Sequence, residues 1–519
     1  MDAVSLSIFA NRIDAICSEM GAVLQKSAFS PNIRDRLDYS CAIFDAQGEL
    51  CAQAAHIPVH LGSMAFAMGD LVAMFEWADG DMVVLNDPYK GGTHLPDITI
   101  IAPLFITNVL IGFVVNRAHH ADIGSETPGS MPLSSNLHEE GLIIEPTFIV
   151  RNGVIIDAVF DDLMANLRNP QESSGDFIAQ IAANRRGLSR LDVLITKMGV
   201  TEYQNSLIDL NHYAASLAQK SLSDITDGIY TFEDVMDDDG LGNSNIVIKT
   251  AITFFKGAVS VDFSGTAAQV KGNINCPLSV TAAAVYYVFR CLMPPQTPAC
   301  AGSFSNISIS APQSSVINAR FPAAVAAGNV ETSTRIVDVV LGALSHAIPE
   351  RIPAASHGSM NNLAMGHVGG SADGQRNLAW DYYETIGGGM GASSISDGLD
   401  AVQTHMTNTL NTPIEALEMK YPVRVTRYQI KTESAGDGRY MGGNGLLREY
   451  EFLSPAQVTI LSERRSCQPW GVSGGGAGKS GVNLLNNNRL KAKQSFEVKE
   501  GDVVCITSAG GGGYGVKEL

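Results

Sequence analysis

Positive charge is scarce in this chain. Thirty-five lysines and arginines (35) face 53 aspartates and glutamates in 519 residues, a net charge of −18. That balance argues against nucleic acid and anionic membrane as partners. The eight cysteines (Cys17, Cys41, Cys51, Cys276, Cys291, Cys300, Cys467, Cys505) are scattered, with no CxxC pair. Neither a disulfide framework nor a cysteine zinc site is expected, and the compartment reads as reducing and cytoplasmic. Asp2 and Arg12 lie inside a helical pattern, where a signal peptide would need a basic region followed by an apolar core. A recognisable ATP site is missing too. Ser473-Gly-Gly-Gly-Ala-Gly-Lys-Ser480 has serine where a phosphate loop needs its first glycine. Gly387-Gly-Gly-Met-Gly-Ala392 lacks a βαβ context, and Ala509-Gly-Gly-Gly-Gly-Tyr-Gly515 lies near the end. All three read as tight backbone turns.

What is present is apolar and glycine-rich: 45% hydrophobic residues and 51 glycines. A chain of this length folds into two or more lobes rather than one small core. The patterning is α+β, a large mixed protein with antiparallel hairpins around a metal site and a strand-rich C-terminal half. A metal-binding region over 1–235 and a mixed helix/strand region over 236–519 are the expected domains. Helical spacing covers 4–28, 171–198 and a further helix to about Ser223, with apolar helical runs near 278–294 and 330–347. On the 171–198 helix, Arg185, Arg186 and Arg190 form a solvated or subunit-facing side. Asp38–Asp45 and Glu49–Ala54 read as a hairpin, and strands are expected at 246–255, 258–263, 423–430, 458–462 and 503–507. Val235–Gly240 resembles a calcium loop but carries Val235 at its first ligand position, so it reads as an acidic turn. Ile123–Leu137, rich in Ser, Pro and Gly, is expected as a long surface loop, either a lid or an ordered Ω-loop.

The chemistry concentrates at Asn86-Asp-Pro-Tyr-Lys-Gly-Gly-Thr-His-Leu-Pro-Asp97 and Ala118-His-His-Ala-Asp122. Between them, Ile98–Asn116 carries no charge. Its Pro103, Thr107, Asn108 and β-branched residues favour a buried hairpin over a membrane span, with strands Ile98–Ile106 and Val109–Asn116. A tight turn at Thr107-Asn108 pairs residues whose numbers sum to about 215, placing Asp97 opposite Ala118 and His119 one step further out. Six of the 11 histidines (His56, His60, His94, His119, His120, His138) fall between 56 and 138. His94, Asp97 and His119 thus gather at the hairpin's open end, and Gly91-Gly92 allow the curl that lets His94 and Asp97 share one ion. Asp38, an acid opening a buried strand, needs a partner and is the candidate fourth ligand. Two His and two Asp suit Zn²⁺, Mn²⁺ or Fe²⁺, and spacing does not choose among them; Zn²⁺ is the expected ion. Such an ion lowers the pKa of bound water to about 7. His120 and Asp122 are candidates for orienting ligands or moving protons. His56 and His60 read as a loop supporting the site, and Arg464-Arg465 as an anion contact or a structural ion pair.

Those two stretches resemble signatures of the hydantoinase B/oxoprolinase family. So do Ala323-Ala-Val-Ala-Ala-Gly-Asn-Val-Glu-Thr332, Asp381-Tyr-Tyr-Glu-Thr-Ile-Gly-Gly-Gly389, Thr404-His-Met-Thr-Asn-Thr-Leu-Asn-Thr-Pro413, Ser462-Glu-Arg-Arg465 and the terminal glycine run. The similarity runs nearly end to end, with Gly124-Ser125 standing where many members have two glycines. The resemblance implies the β-type subunit of an ATP-dependent cyclic-amide hydrolase of the N-methylhydantoinase, oxoprolinase or caprolactamase kind. It implies a partner subunit of hydantoinase A type that uses ATP to phosphorylate the substrate carbonyl, in a hetero-tetramer or larger. It also implies metal ligands at His94, Asp97 and His119, with Asp38 as fourth. Acetone and acetophenone carboxylases have a related subunit, so a ketone carboxylase role is one alternative. A non-catalytic scaffold with a structural metal is the other.

Overall fold

A computed structural model describes residues 2–517 apart from 55–56, 368, 373–374 and 378; His56 therefore lies outside the described residues. The N-terminal layer is an antiparallel seven-stranded sheet in the order β2-β1-β5-β4-β3-β6-β7. Its strands are β1 (Tyr39–Asp45), β2 (Leu50–Ala54), β3 (Met82–Leu85), β4 (Asp97–Ile106), β5 (Val109–His119), β6 (Thr147–Arg151) and β7 (Val154–Ile155). Both faces are covered, which is why its central strands are apolar at almost every position. Cys41, Ile43, Ile98, Ile100 and Val114 pack toward helices α1 (Ala3–Ser27) and, beyond the short α2 (Pro31–Arg34), the later long helices. Ala42, Phe44, Ile101, Phe113 and Val115 face α3 (Pro58–Ala73) through Met64, Met68 and Leu71.

The uncharged stretch is the expected hairpin. Thr107 (φ 47°) and Asn108 (φ 64°) are both left-handed, as a two-residue type I′ turn requires. Its register differs from the expected one. The ladder starts with Ile106 opposite Val109 and Phe105 opposite Leu110, but Leu104 then faces Gly112. Ile111 is a bulge residue, and every later pair is shifted by one, so Asp97 stands directly opposite His119, not Ala118.

After α4 (Asp157–Ala165) come two long helices, α5 (Pro170–Met198) and α6 (Val200–Ser223). The α5 arginines lie on an exposed face, where Arg186 and Arg190 pair with Glu19. A second sheet has the order β11-β10-β9-β8, from β8 (Gly228–Asp238), β9 (Ser244–Phe255), β10 (Ala258–Asp262) and β11 (Ile307–Ser310). Helices α7 (Leu278–Leu292) and α8 (Ser333–Ser345) share its core. The acidic stretch at 235–240 is mostly strand: Val235–Asp238 closes β8, and Asp237 accepts backbone hydrogen bonds from Arg465 (2.6 Å) and Cys467 (2.9 Å). Arg464 is buried between Asp234 (2.8 Å) and Asp338 (2.5 Å), a structural ion pair.

The C-terminal part holds a four-stranded and a five-stranded antiparallel sheet. Apart from the turn at Ser473-Gly474 (φ 52° and 93°), the glycine clusters beside them are extended segments rather than turns. Gly511 N–H donates to Gly443 O and Gly436 N–H to Gly511 O (both 2.9 Å), while Gly512 N–H donates to Ala355 O at 2.8 Å. A Cβ on Gly511 would lie 2.0 Å from the Met390 carbonyl, and its φ is not positive. Glycine serves here for close packing of extended segments, not for backbone reversal.

The 123–137 segment is likewise no surface loop. Ile123, Ser130, Met131 and Leu137 are buried. Its polar backbone is satisfied from within: Asp381 accepts from Gly129 N–H (2.8 Å), and Arg168 donates to the carbonyls of Thr127 (3.0 Å) and Ser125. Among the described residues no helix is long and apolar enough to cross a membrane.

Candidate metal centre

Three segments bring the donors together. Asp97 opens β4 and His119 closes β5, as direct partners across the ladder. His94 arrives on the loop before β4. That loop is folded around Asn86, whose side chain donates to Leu95 O (2.8 Å) and Leu142 O (2.9 Å) and accepts from Ile144 N–H (2.6 Å). The two glycines do the work expected of them. Gly91 has φ 106°, and Gly92 passes so near Asn86 that a Cβ would sit 2.3 Å from its carbonyl oxygen.

His94 Nε2 lies 3.1 Å and His119 Nδ1 3.2 Å from Asp97 Oδ1. One ligand atom from each of the three lies within 4.8 Å of the others, and all three residues are buried. His94 Nδ1 is 3.1 Å from the Ala326 carbonyl. Donating there fixes the tautomer and leaves Nε2 as the ligand nitrogen. Among the described residues His94 Nε2 and His119 Nε2 are buried without a hydrogen bond, the approach of His94 to Asp97 being a charge contact only. Such orphaned polar atoms are costly, and a cation would satisfy both. Two imidazoles and a carboxylate are a donor set suited to a borderline divalent ion.

The electrostatics agree. Burial opposes the charge on Asp97, but His94 and His60, with hydrogen bonds from His119 and His60, hold its carboxyl well below the usual range. Burial pushes the His119 imidazole down, toward the neutral form a metal needs. Burial also opposes protonation of His94, but Asp97 prevails and raises it.

Asp38 lines the same cavity, about 20 Å³ in volume. It lies just before β1, and its carbonyl accepts the His119 N–H at 3.0 Å. Its carboxylate is 3.9 Å from His60 Nε2 and 3.8 Å from Arg36. His120 and Asp122 are placed elsewhere. His120 Nε2 is 3.0 Å from Gln180 Oε1 on α5, with its ring against Phe177. Asp122 accepts from the N–H groups of Gly124 (2.9 Å) and Asn169 (2.8 Å). Four of the six candidate residues thus share the cavity; the other two pack on its α5 side.

His60 is the residue whose part sequence reasoning underestimated. It is not in a loop but in the first turn of α3, with Nε2 3.2 Å from Asp97 Oδ2. Pro58 at the helix start was the available signal. Thr93 (2.6 Å) and Asn329 (3.1 Å) also donate to Asp97 Oδ2, and His119 stacks on Tyr383 with centroids 4.7 Å apart. The contacts from Asn329 and Tyr383, more than 200 residues away, leave no local pattern.

The fold and this cluster define a large α+β protein with residues able to hold a divalent ion at a hairpin end. The chain belongs to the hydantoinase B/oxoprolinase family, whose model matches residues 2–517. It is 40% identical to the uncharacterized protein MJ0963 of Methanocaldococcus jannaschii, over 99% of this chain and 91% of that one. It is 36% identical to the 5-oxoprolinase of Dictyostelium discoideum over its whole length (100%), yet covers 41% of that enzyme. The chain thus spans about two fifths of such oxoprolinases. The ATP-dependent caprolactamase from Pseudomonas jessenii superposes at TM-score 0.92 with 26% identity, covering 100% of this chain and 92% of that one. A nucleotide-free acetone carboxylase shares the fold at TM-score 0.86, with 18% identity over 98% of this chain and 75% of that one.

Proposed function

We propose that this chain is the metal-holding, hydrolytic part of an ATP-dependent cyclic-amide hydrolase, opening a ring that a hydantoinase A-type ATPase partner has phosphorylated. The observation that carries this function is that one ligand atom each from His94, Asp97 and His119 lies within 4.8 Å of the others in a buried cavity. Oxoprolinase and caprolactamase relatives support the reaction class.

In this proposal His94, Asp97 and His119 hold the ion, with Asp38 completing the set. An ion so held supplies Lewis acidity toward an acyl or phosphoryl oxygen and activates water near neutral pH. Thr93, Asn329 and His60 all fix Asp97 Oδ2, leaving Oδ1 toward His94 and His119, and the Ala326 carbonyl fixes the His94 ring. Tyr383 covers His119 and limits its access to bulk water. We assign His120 and Asp122 an orienting part, since Gln180 and Asn169 engage them.

The purified chain, loaded in turn with Zn²⁺, Mn²⁺ and Fe²⁺, is combined with its ATPase partner, ATP and a panel of cyclic amides. Ring opening coupled to ADP release is the expected result. Incorporation of labelled bicarbonate into ketones without ring opening would overturn the proposal in favour of the carboxylase role.

A further inference from the structure

The metal cavity, at about 20 Å³, holds about one water molecule, whereas small-molecule sites run to about 300–1,000 Å³. A wall must therefore move before a cyclic amide can reach the ion's donors. Several walls are parts of regular elements. Asp97 and His119 belong to the β4–β5 ladder, Val59 and His60 to α3, and Tyr383 to a strand at Trp380–Glu384. One wall differs. Residues 403–411 form neither helix nor strand. Met406, Thr407 and Thr409 line the cavity, while Asn408 and Leu410 are exposed, Leu410 at 55%. A single thickness of backbone thus separates the cavity from water on this side.

This strap is thinly held. At one end Val402 and Gly388 exchange backbone hydrogen bonds of 2.8 and 2.9 Å. At the other, the Asn411 side chain donates to Thr385 O (2.8 Å) and to Glu384 (2.9 Å). Between these anchors, among the described residues, the strap makes two backbone–backbone hydrogen bonds. Thr407 N–H reaches Thr404 O, within the strap, at 3.5 Å, and Leu410 N–H reaches Arg36 O at 3.0 Å. Gln403 Oε1, His405 Nε2 and Thr407 Oγ1 are buried without hydrogen-bond partners. Ala401 (φ 53°) and His405 (φ 58°) are left-handed without being glycine, a strain that movement of the strap relieves. Segments with so few backbone bonds open locally at low free energy. One contact closes the strap on the cavity side: Thr409 Oγ1 lies 2.7 Å from Thr385 Oγ1, and Arg36 donates to Thr385 (3.2 Å) and Thr409 (3.5 Å).

We propose that residues 403–411 are the door of the metal cavity, hinged beside Ala401 and latched by Thr385 and Thr409, and that the door swings outward to admit ion and substrate. The substrate's passage rests on the ring-opening function above; the ion's passage is read without turnover. Combining Thr385→Cys with Thr409→Cys puts two sulfurs where hydroxyls now touch, within reach of a disulfide. The full-length double variant is loaded with Zn²⁺ under reductant and then oxidised with diamide, the bridge being mapped by mass spectrometry. The wild-type chain, treated alike, is the control. A chromogenic chelator should remove Zn²⁺ at least about ten-fold more slowly from the bridged form than from the reduced form, because local opening is blocked. In the wild-type chain, amide hydrogen exchange of 403–411 should run at least about 100-fold faster than that of β5, and the bridge should slow it. Equal chelation rates in the two forms, or a wild-type strap that exchanges as slowly as β5, would overturn the proposal; where no bridge forms, the wild-type exchange decides. In the coupled assay the bridged form should lose ring opening and regain it with dithiothreitol. Ring opening indifferent to the bridge would sink the door and leave the function standing. Slowed Zn²⁺ release in the bridged form, with no ring opening by the wild-type chain, would do the reverse.

Discussion

Asp97 and His119 are direct partners across one β-ladder, and their side chains meet at 3.2 Å because a single bulge residue, Ile111, shifts the register between them and the turn. Most of the candidate chemistry depends on that relationship.

His119→Ala and His94→Ala each remove one of the orphaned nitrogens. Metal content after dialysis should fall from one ion per chain to near zero. Coupled activity should drop by more than the roughly 10–100-fold typical of lost outer-shell support. Far-UV circular dichroism should be unchanged. A scaffold with a purely structural ion would instead lose thermal stability along with the metal.

His60 contacts the Asp97 oxygen opposite the one shared by His94 and His119. His60→Ala should weaken metal affinity by about 10–100-fold, and His60→Gln, which keeps a donor, by less. Competition with a chromogenic chelator measures both. Equal losses would show that hydrogen bonding to Asp97 is not what His60 contributes.

Burial, with the nearby charge of Glu463, pushes Glu331 up to about 8. Its Oε1 accepts from Met360 N–H (2.9 Å) and Asn362 (2.7 Å). The folded state therefore keeps a proton that the unfolded chain releases near pH 4.5. Stability from this group is full below that pH and is lost as pH rises toward 8, at up to about 1.4 kcal/mol per pH unit. Denaturant titrations from pH 5 to 8 should show this decline, and Glu331→Gln should flatten it. An unchanged slope in the variant would assign the decline to other groups.

Two glycines separate two uses of that residue. Gly511→Ala places a methyl 2.0 Å from the Met390 carbonyl, and overpacking against backbone should cost about 3 kcal/mol or more. Gly501→Ala meets nothing within 4 Å, but Gly501 has φ 85°, so its cost should stay near the 1–2 kcal/mol (roughly) of a left-handed residue. Comparable midpoint shifts for the two would contradict the close-packed description of the glycine segments.

The sequence displayed its layers more openly than its registers. The uncharged hairpin was legible because β-branched residues flank a Thr-Asn pair. The bulge at Ile111 was not, since both faces of these strands are buried and one inserted residue breaks no visible alternation. Composition misled over 123–137, where serines, prolines and glycines look solvent-exposed but are served by Arg168 and Asp381. It misled again over the glycine clusters, whose purpose is set by partners far away in the chain. The three donors on or beside one hairpin could be found locally; Asn329 and Tyr383 reach the same spot from other parts of the fold.

The run from Ala509 to Gly513 lies against Ala355, Met390, Gly443 and Gly476, and every one of those neighbours leaves the ribosome before it does. During synthesis the C-terminal layers must therefore wait, unsealed, for their central thread. Cutting the gene before codon 509 should yield a chain that chaperones hold and proteases clear. A tag fused after Val516, where the side chain is already in water, should go unnoticed.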